Sequence, residues 1–146
     1  MRAITIRQPY ADAIVQPSDL PKRIENRSWP LPARYAGVPV LLHSAAAPER
    51  KAVLPDAWAI PRLYGDRTDQ LGMMLALVTF TGCHLDGDGE CDEQCATWGH
   101  RQVFHWRITD VTPLPEPVPA KGQQQFWAPA PDVLAAVQRQ IEAVAR

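Results

Sequence analysis

A chain of 146 residues, 46% hydrophobic and 21% charged, is sized and composed for one soluble domain with a real core. A net charge of −1 excludes general, salt-driven adhesion to long nucleic acid, and no apolar run is long enough to span a bilayer, so no membrane partner is expected. The charge is uneven: residues 1–51 hold eight Lys/Arg against four Asp/Glu, while residues 52–146 hold seven against twelve, which leaves a basic N-terminal third suited to a small anionic partner.

The opening Met1-Arg2-Ala3-Ile4-Thr5-Ile6-Arg7 lacks the apolar segment of a signal peptide. Three cysteines then fit reduced thiols or a metal site better than a disulfide framework, and a cytoplasmic location is expected. Ala3–Ile6 alternates like a short strand. Pro9 suits a first helical turn, apolar residues follow at 10, 11, 14 and 15, and Pro17 and Pro21 end that helix. Next comes Lys22-Arg23-Ile24-Glu25-Asn26-Arg27-Ser28-Trp29, with three cations, a carboxylate, an amide, a hydroxyl and an indole in eight residues. If Ile24 faces a core, an extended backbone puts Arg23, Glu25 and Arg27 on one face, with Lys22, Asn26 and Trp29 at the turns or the opposite edge. A carboxylate between two guanidiniums holds their donors in fixed directions, as a surface for phosphate or a polar heterocycle requires. The plainer reading is a solvated edge strand whose charges block sheet-to-sheet pairing.

Val38–His43 reads as a buried strand, ending with an imidazole and the Ser44 hydroxyl at its rim. Ala45 to about Leu54 reads as a helix, and residues 55–70, with Pro55, Pro61 and Gly65, as an irregular excursion. Leu71–Cys83 is the most apolar run, a strand buried on both faces, with Gly82 marking a bulge. Val103–Val111 is another strand, after which Pro113, Pro115, Pro117 and Pro119 predict a polyproline-like crossing toward Lys121 and Trp127. From Pro131 or Asp132 to Arg146, Leu134, Val137, Ile141 and Val144 form a helical stripe. The expectation is an α+β fold: a single domain over 1–146, a compact curved sheet or small β-barrel flanked by short helices, with 131–146 as a C-terminal helical extension.

Cys83-His84-x6-Cys91-x3-Cys95-x4-His100 has enough thiols and imidazoles to hold zinc, with Cys83, Cys91, Cys95 and His100 as candidate ligands. No Cys-x2-Cys is present, and five carboxylates (Asp86, Asp88, Glu90, Asp92, Glu93) crowd the segment. As a calcium loop it fails, because Cys91 takes the place of the turn glycine and Thr97 that of the bidentate glutamate. The alternative is an acidic loop with free thiols.

Ile4-Thr5-Ile6-Arg7-Gln8-Pro9-Tyr10-Ala11, then Lys22 to Trp29, Tyr35-Ala36-Gly37 with Leu41-Leu42-His43, and Pro117-Val118-Pro119-Ala120-Lys121-Gly122 through Phe126-Trp127, resemble in order the motifs of the activating signal cointegrator homology (ASCH) family. The resemblance covers about residues 3–128, apart from 48–70, and leaves out the C-terminal helix. It implies a PUA-like small β-barrel, with a cleft between barrel and helices that binds RNA, DNA or a modified nucleobase or nucleoside. Relatives include enzymes that cleave RNA or hydrolyse acetylated cytidine. In the amidohydrolases the segment reads Gly-x-Lys-Thr-x-Thr-x-Arg. Lys22 and Arg27 match its lysine and arginine, and Glu25 stands at the threonine nucleophile. The leading expectation is therefore a binding module rather than an enzyme. Tyr10, Lys22, Glu25, Arg27, Trp29, Lys121 and Trp127 are the candidate ligand-binding residues, the aromatics to stack a base at about 1–3 kcal/mol each. The alternatives are a hydrolase acting on RNA or a nucleoside through Lys22, Glu25 and His43, and a protein-interaction adaptor using the acidic loop.

Overall fold

The computed structural model describes residues 1–58 and 70–146. Six strands form one mixed sheet: β1 (Ala3–Ile6), β2 (Ile24–Arg27), β3 (Pro39–Ser44), β4 (Met73–Leu85), β5 (Phe104–Pro119) and β6 (Phe126–Trp127). Three α-helices accompany them among the described residues: α1 (Tyr10–Val15), α2 (Glu93–Trp98) and α3 (Pro131–Val144). The fold is α+β, with a C-terminal helix as expected. Among the described residues no helix is long and apolar enough to cross a membrane.

The strand order is β2-β5-β4-β3-β1-β6, and every ladder is antiparallel except β1 with β3. The sheet is open: among the described residues no ladder joins β2 to β6, so the expected barrel is not closed by backbone hydrogen bonds. It is nonetheless strongly curled. Register shifts at Thr79/Phe80 and Phe80/Gly82 bend the long β4–β5 ribbon, where Gly82 predicted a bulge. Aromatic rings fill the inside of the curl. Phe126 of β6 stacks on Tyr35 at 3.9 Å and lies parallel to Trp106 of β5 at 5.8 Å, while Phe80 and Trp29 meet Trp106 edge-on. Around them pack Ile4, Ile6, Ile14, Val40, Leu42 and Val78.

Pro9 immediately precedes α1, where Gln8 does the capping: its amide oxygen accepts from the Asp12 N–H at 2.9 Å. The helix expected over Ala45–Leu54 is not formed. Its backbone is spent on the N-terminal segment instead: the Ala45 and Glu49 N–H groups donate to the carbonyls of Ile6 and Gln8 at 3.0 and 2.7 Å. A 3-10 turn spans Asp56–Trp58, and the rest of the expected excursion, including Pro61 and Gly65, lies outside the described residues.

The proline-rich segment also differs from expectation, because it continues β5. Beyond Ile108, β2 no longer covers β5, so one edge has no partner strand among the described residues and a residue without an N–H breaks no ladder there. Pro113, Pro115, Pro117 and Pro119 all face outward, while Leu114 and Val118 turn in toward α3. That helix packs through Val133, Leu134, Ala136, Val137 and Ile141, whereas Val144, expected on its stripe, is exposed.

Candidate functional site

β2 sits at the sheet edge with its side chains alternating. Ile24 turns outward into a second cluster with Ala13, Trp58, Cys95 and Trp98. Glu25 and Arg27 turn into the curl, level with Trp106 and Phe104 of β5. Lys22 enters from the preceding turn and is almost wholly enclosed, at 1% exposure, with Glu25 beside it at 7%. Lys22 Nζ donates to the Ile24 carbonyl and to Glu25 Oε2 (3.3 Å), and lies 5.5 Å from the Tyr10 ring centre. Arg27 Nε is 3.2 Å from Glu25 Oε1, an ion pair without hydrogen-bond geometry, while Arg27 Nη2 donates to the Thr5 carbonyl at 2.9 Å. The same guanidinium rests against Trp29 and Trp106.

Glu25 is thus flanked by Lys22 and Arg27, not by the two arginines expected. Arg23 precedes the strand, and its guanidinium folds back onto the carbonyls of Ile14 and Lys22 at 2.9 Å. Burial lowers the pKa of Lys22, opposed by the adjacent Glu25 carboxylate and reinforced by Arg27.

These groups open onto a cleft of about 680 Å³, lined also by Thr5, Arg7, Tyr10, Trp29, Glu49, His100 and Gln123 to Gln125. Arg7 and Glu49 pair at 3.2 Å. His100 was not expected here. Asn26, on the outer face of β2, carries it: its amide donates to the Trp98 carbonyl and accepts from the His100 N–H. The His100 ring then meets Tyr10 edge-on at 6.1 Å. Desolvation, followed by the charge of Lys22, lowers its pKa.

The remaining candidates stand behind the cleft wall. Trp127 packs with Leu41, Met74 and Val137 in the cluster under α3, and with Lys121 it lines a separate cavity of about 310 Å³. Its Nε1–H donates to Thr5 Oγ1 at 3.0 Å, and Thr5 Oγ1 lies 3.2 Å from His43 Nδ1. His43 Nε2 faces the Ala120 carbonyl at 2.8 Å, so it carries the proton and Nδ1 accepts from Thr5. A Cβ on Gly122 would lie 2.6 Å from His43 Cε1, so only glycine lets this loop close over the ring. His43 is buried and neutral in character, since desolvation lowers its pKa.

On the opposite face of the β4–β5 ribbon, alternation decides which thiols and imidazoles meet. Cys83 turns inward and accepts from the Leu31 N–H, so it is separated from its neighbour His84. His84 faces out and is paired across the ladder with His105. Residues 86–92 bring Cys91 to them, and α2 adds Cys95. The four ligand atoms lie within 4.8 Å of one another, a group able to hold a metal ion. Cys91 and Cys95 were candidates; Cys83 and the His100 ring are elsewhere. His84 and His105 take those places, and the signal for them was a histidine on each strand flanking the loop. Two of the five loop carboxylates have structural work: Asp92 caps α2 and pairs with Arg107 at 2.8 Å, and Asp86 accepts from the Gln102 N–H. Burial is the largest influence on the Cys95 thiol, whose pKa is pushed up to about 11. In comparisons with known proteins, no family model matches the sequence and no curated protein matches it.

Proposed function

We propose that the chain is a binding module for RNA or a modified nucleoside, with an ASCH-type, PUA-like fold and a cytoplasmic setting, and that the ligand's base enters the Lys22–Glu25–Arg27 cleft. The observation that carries this reading is a buried lysine and glutamate, with an arginine, opening onto a cavity of about 680 Å³. That volume suits one nucleoside. Burying such charges costs stability that a hydrophobic pair would not, so a ligand role is the economical account of them. The lining mixes signs: Arg7, Lys22 and Arg27 stand with Glu25, Glu49 and the amides of Gln123 to Gln125. Donors and acceptors together suit the edge of a base, whereas a phosphate, which only accepts, calls for donors alone. Tyr10 and Trp29 are the aromatics positioned for stacking. Three cysteines with no disulfide among them agree with a reducing compartment. DNA is the other polymer such a cleft would take.

One observation favours a second reading, a hydrolase. A lysine with a lowered pKa in a cleft, beside a carboxylate, is a common arrangement for proton transfer. The adaptor reading has no comparable support, and two of the loop acids, Asp86 and Asp92, are engaged within the chain. Zinc, the one metal expected from the sequence, belongs in this account to the thiol–imidazole cluster and takes no part in the cleft.

Titration of the protein with a panel of nucleosides, plain and base-modified, and with short single-stranded RNA and DNA tests the proposal. Saturable 1:1 binding that shifts the amide resonances of residues 22–27 and 123–125 supports it. Absence of saturation by every ligand, or shifts confined to α3, overturns it.

A further inference from the structure

We propose that His84, Cys91, Cys95 and His105 form a closed structural zinc site, which fixes the wall of the cleft that carries His100. All four ligand atoms lie within 4.8 Å of one another, and the shorter separations approach those of a coordination shell. His84 Nε2 lies 3.4 Å from Cys91 Sγ, 3.3 Å from Cys95 Sγ and 3.2 Å from His105 Nδ1, and Cys91 Sγ lies 3.9 Å from His105 Nδ1. A tetrahedral zinc with Zn–S of about 2.3 Å and Zn–N of about 2.0–2.1 Å has edges of roughly 3.3 Å between nitrogens and 3.6 Å between nitrogen and sulfur. One ring lone pair points into the group. His105 Nε2 faces the His100 carbonyl at 2.8 Å and must donate to it, which leaves Nδ1 as a bare lone pair aimed into the cluster. His84 Nε2 has three neighbours there and at most one proton to share.

Donor chemistry selects the metal. Two thiolates and two neutral imidazoles in a four-cornered shell are a zinc set; calcium and magnesium require oxygen. Three of the four ligands are buried, and the shell leaves no open position, so the role is structural. Cys91 is the exposed corner, from which an ion enters. The His105–His100 hydrogen bond is the outer contact that commonly orients a metal-bound imidazole.

What the ion would hold together follows from the chain. His84 and His105 sit on the end of the β4–β5 ribbon, while Cys91 and Cys95 belong to the loop and α2. The His100 carbonyl binds His105, and the His100 N–H and Trp98 carbonyl bind Asn26 of β2. One ion therefore ties the ribbon, α2 and the edge strand into a single wall. This holds whatever the cleft takes.

Elemental analysis of protein purified without added metal, with Co(II) replacement as the spectroscopic probe, tests the site. About one zinc per chain is expected, and Co(II) should give thiolate charge-transfer and tetrahedral d–d bands. Cys91→Ser should lose at least roughly 90% of the metal at equal protein concentration, while Cys83→Ser keeps it. Chelation of the wild type should lower Tm and speed amide exchange over residues 86–100; this arm does not depend on any variant folding. Less than about 0.2 zinc per chain with no Co(II) charge-transfer band would overturn the proposal, as would equal metal loss in Cys83→Ser or a full equivalent of iron or copper instead.

Discussion

Arg27 donates from Nη2 to the backbone carbonyl of Thr5 at 2.9 Å, joining two strands that have three others between them in the sheet. β2 is the edge on one side and β1 is next to the edge on the other, so this bond crosses the mouth of the curl. It does with a side chain what a closed barrel does with a ladder. Because the same guanidinium faces Glu25 and the cleft, the curl and the site share one residue.

Arg27→Lys keeps the charge but cannot serve both Thr5 and Glu25, since an ammonium lacks the planar fork. A stability loss of about 1.5–3 kcal/mol is expected, read by chemical denaturation. Arg27→Ala should weaken a bound nucleoside or short RNA by about 1–3 kcal/mol, while Arg139→Ala on α3 changes affinity little. Equal losses in the two would mean diffuse electrostatics and no pocket.

Glu25→Gln should destabilise more than Lys22→Met. Removing the carboxylate leaves two cations facing each other in a buried site, at a cost of roughly 3–5 kcal/mol. Removing the lysine leaves Glu25 with Arg27. The pH dependence separates them further. The folded pKa of Lys22 lies below the 10.5 of the free side chain, so between the two values the unfolded chain binds more protons and stability rises with pH. Denaturation curves of Lys22→Met should lack that rise; its persistence would place the titration elsewhere.

No acyl-enzyme and little or no hydrolysis of acetylated cytidine are expected, because a carboxylate stands where the resembled amidohydrolases have a threonine. The comparison is wild type against Glu25→Gln, assayed for turnover and for ligand binding. Robust turnover in the wild type that vanishes in the variant, with binding retained, would favour the hydrolase.

Acid should weaken the protein through His43. Its folded pKa lies below 6.5, so as pH falls through 6.5 the unfolded chain protonates first and stability declines until the folded pKa is passed. His43→Gln can keep a donor to Ala120 without taking up a proton. The slope of Tm against pH below 6.5 should therefore be shallower in the variant, and an unchanged slope would remove His43 from the account.

Five of the six strands in outline, the terminal helix and the α+β class were legible because apolar periodicity is a local property, whereas β6 and α2 are too short to show one. So was the grouping of Lys22, Glu25 and Arg27, which one turn and one strand deliver together. Three decisions belonged to the tertiary structure. The prolines after Ile108 join a strand because β2 is too short to cover that edge, a fact no residue in the segment encodes. Residues 45–54 are not helical because their N–H groups answer carbonyls near the N-terminus. The metal-capable cluster takes His84 and His105 in place of Cys83 and His100 because the β4–β5 register sets His84 opposite His105, while pleating turns Cys83 to the other face. Register is fixed by the whole hydrophobic core, and a shift of one residue would exchange the two faces.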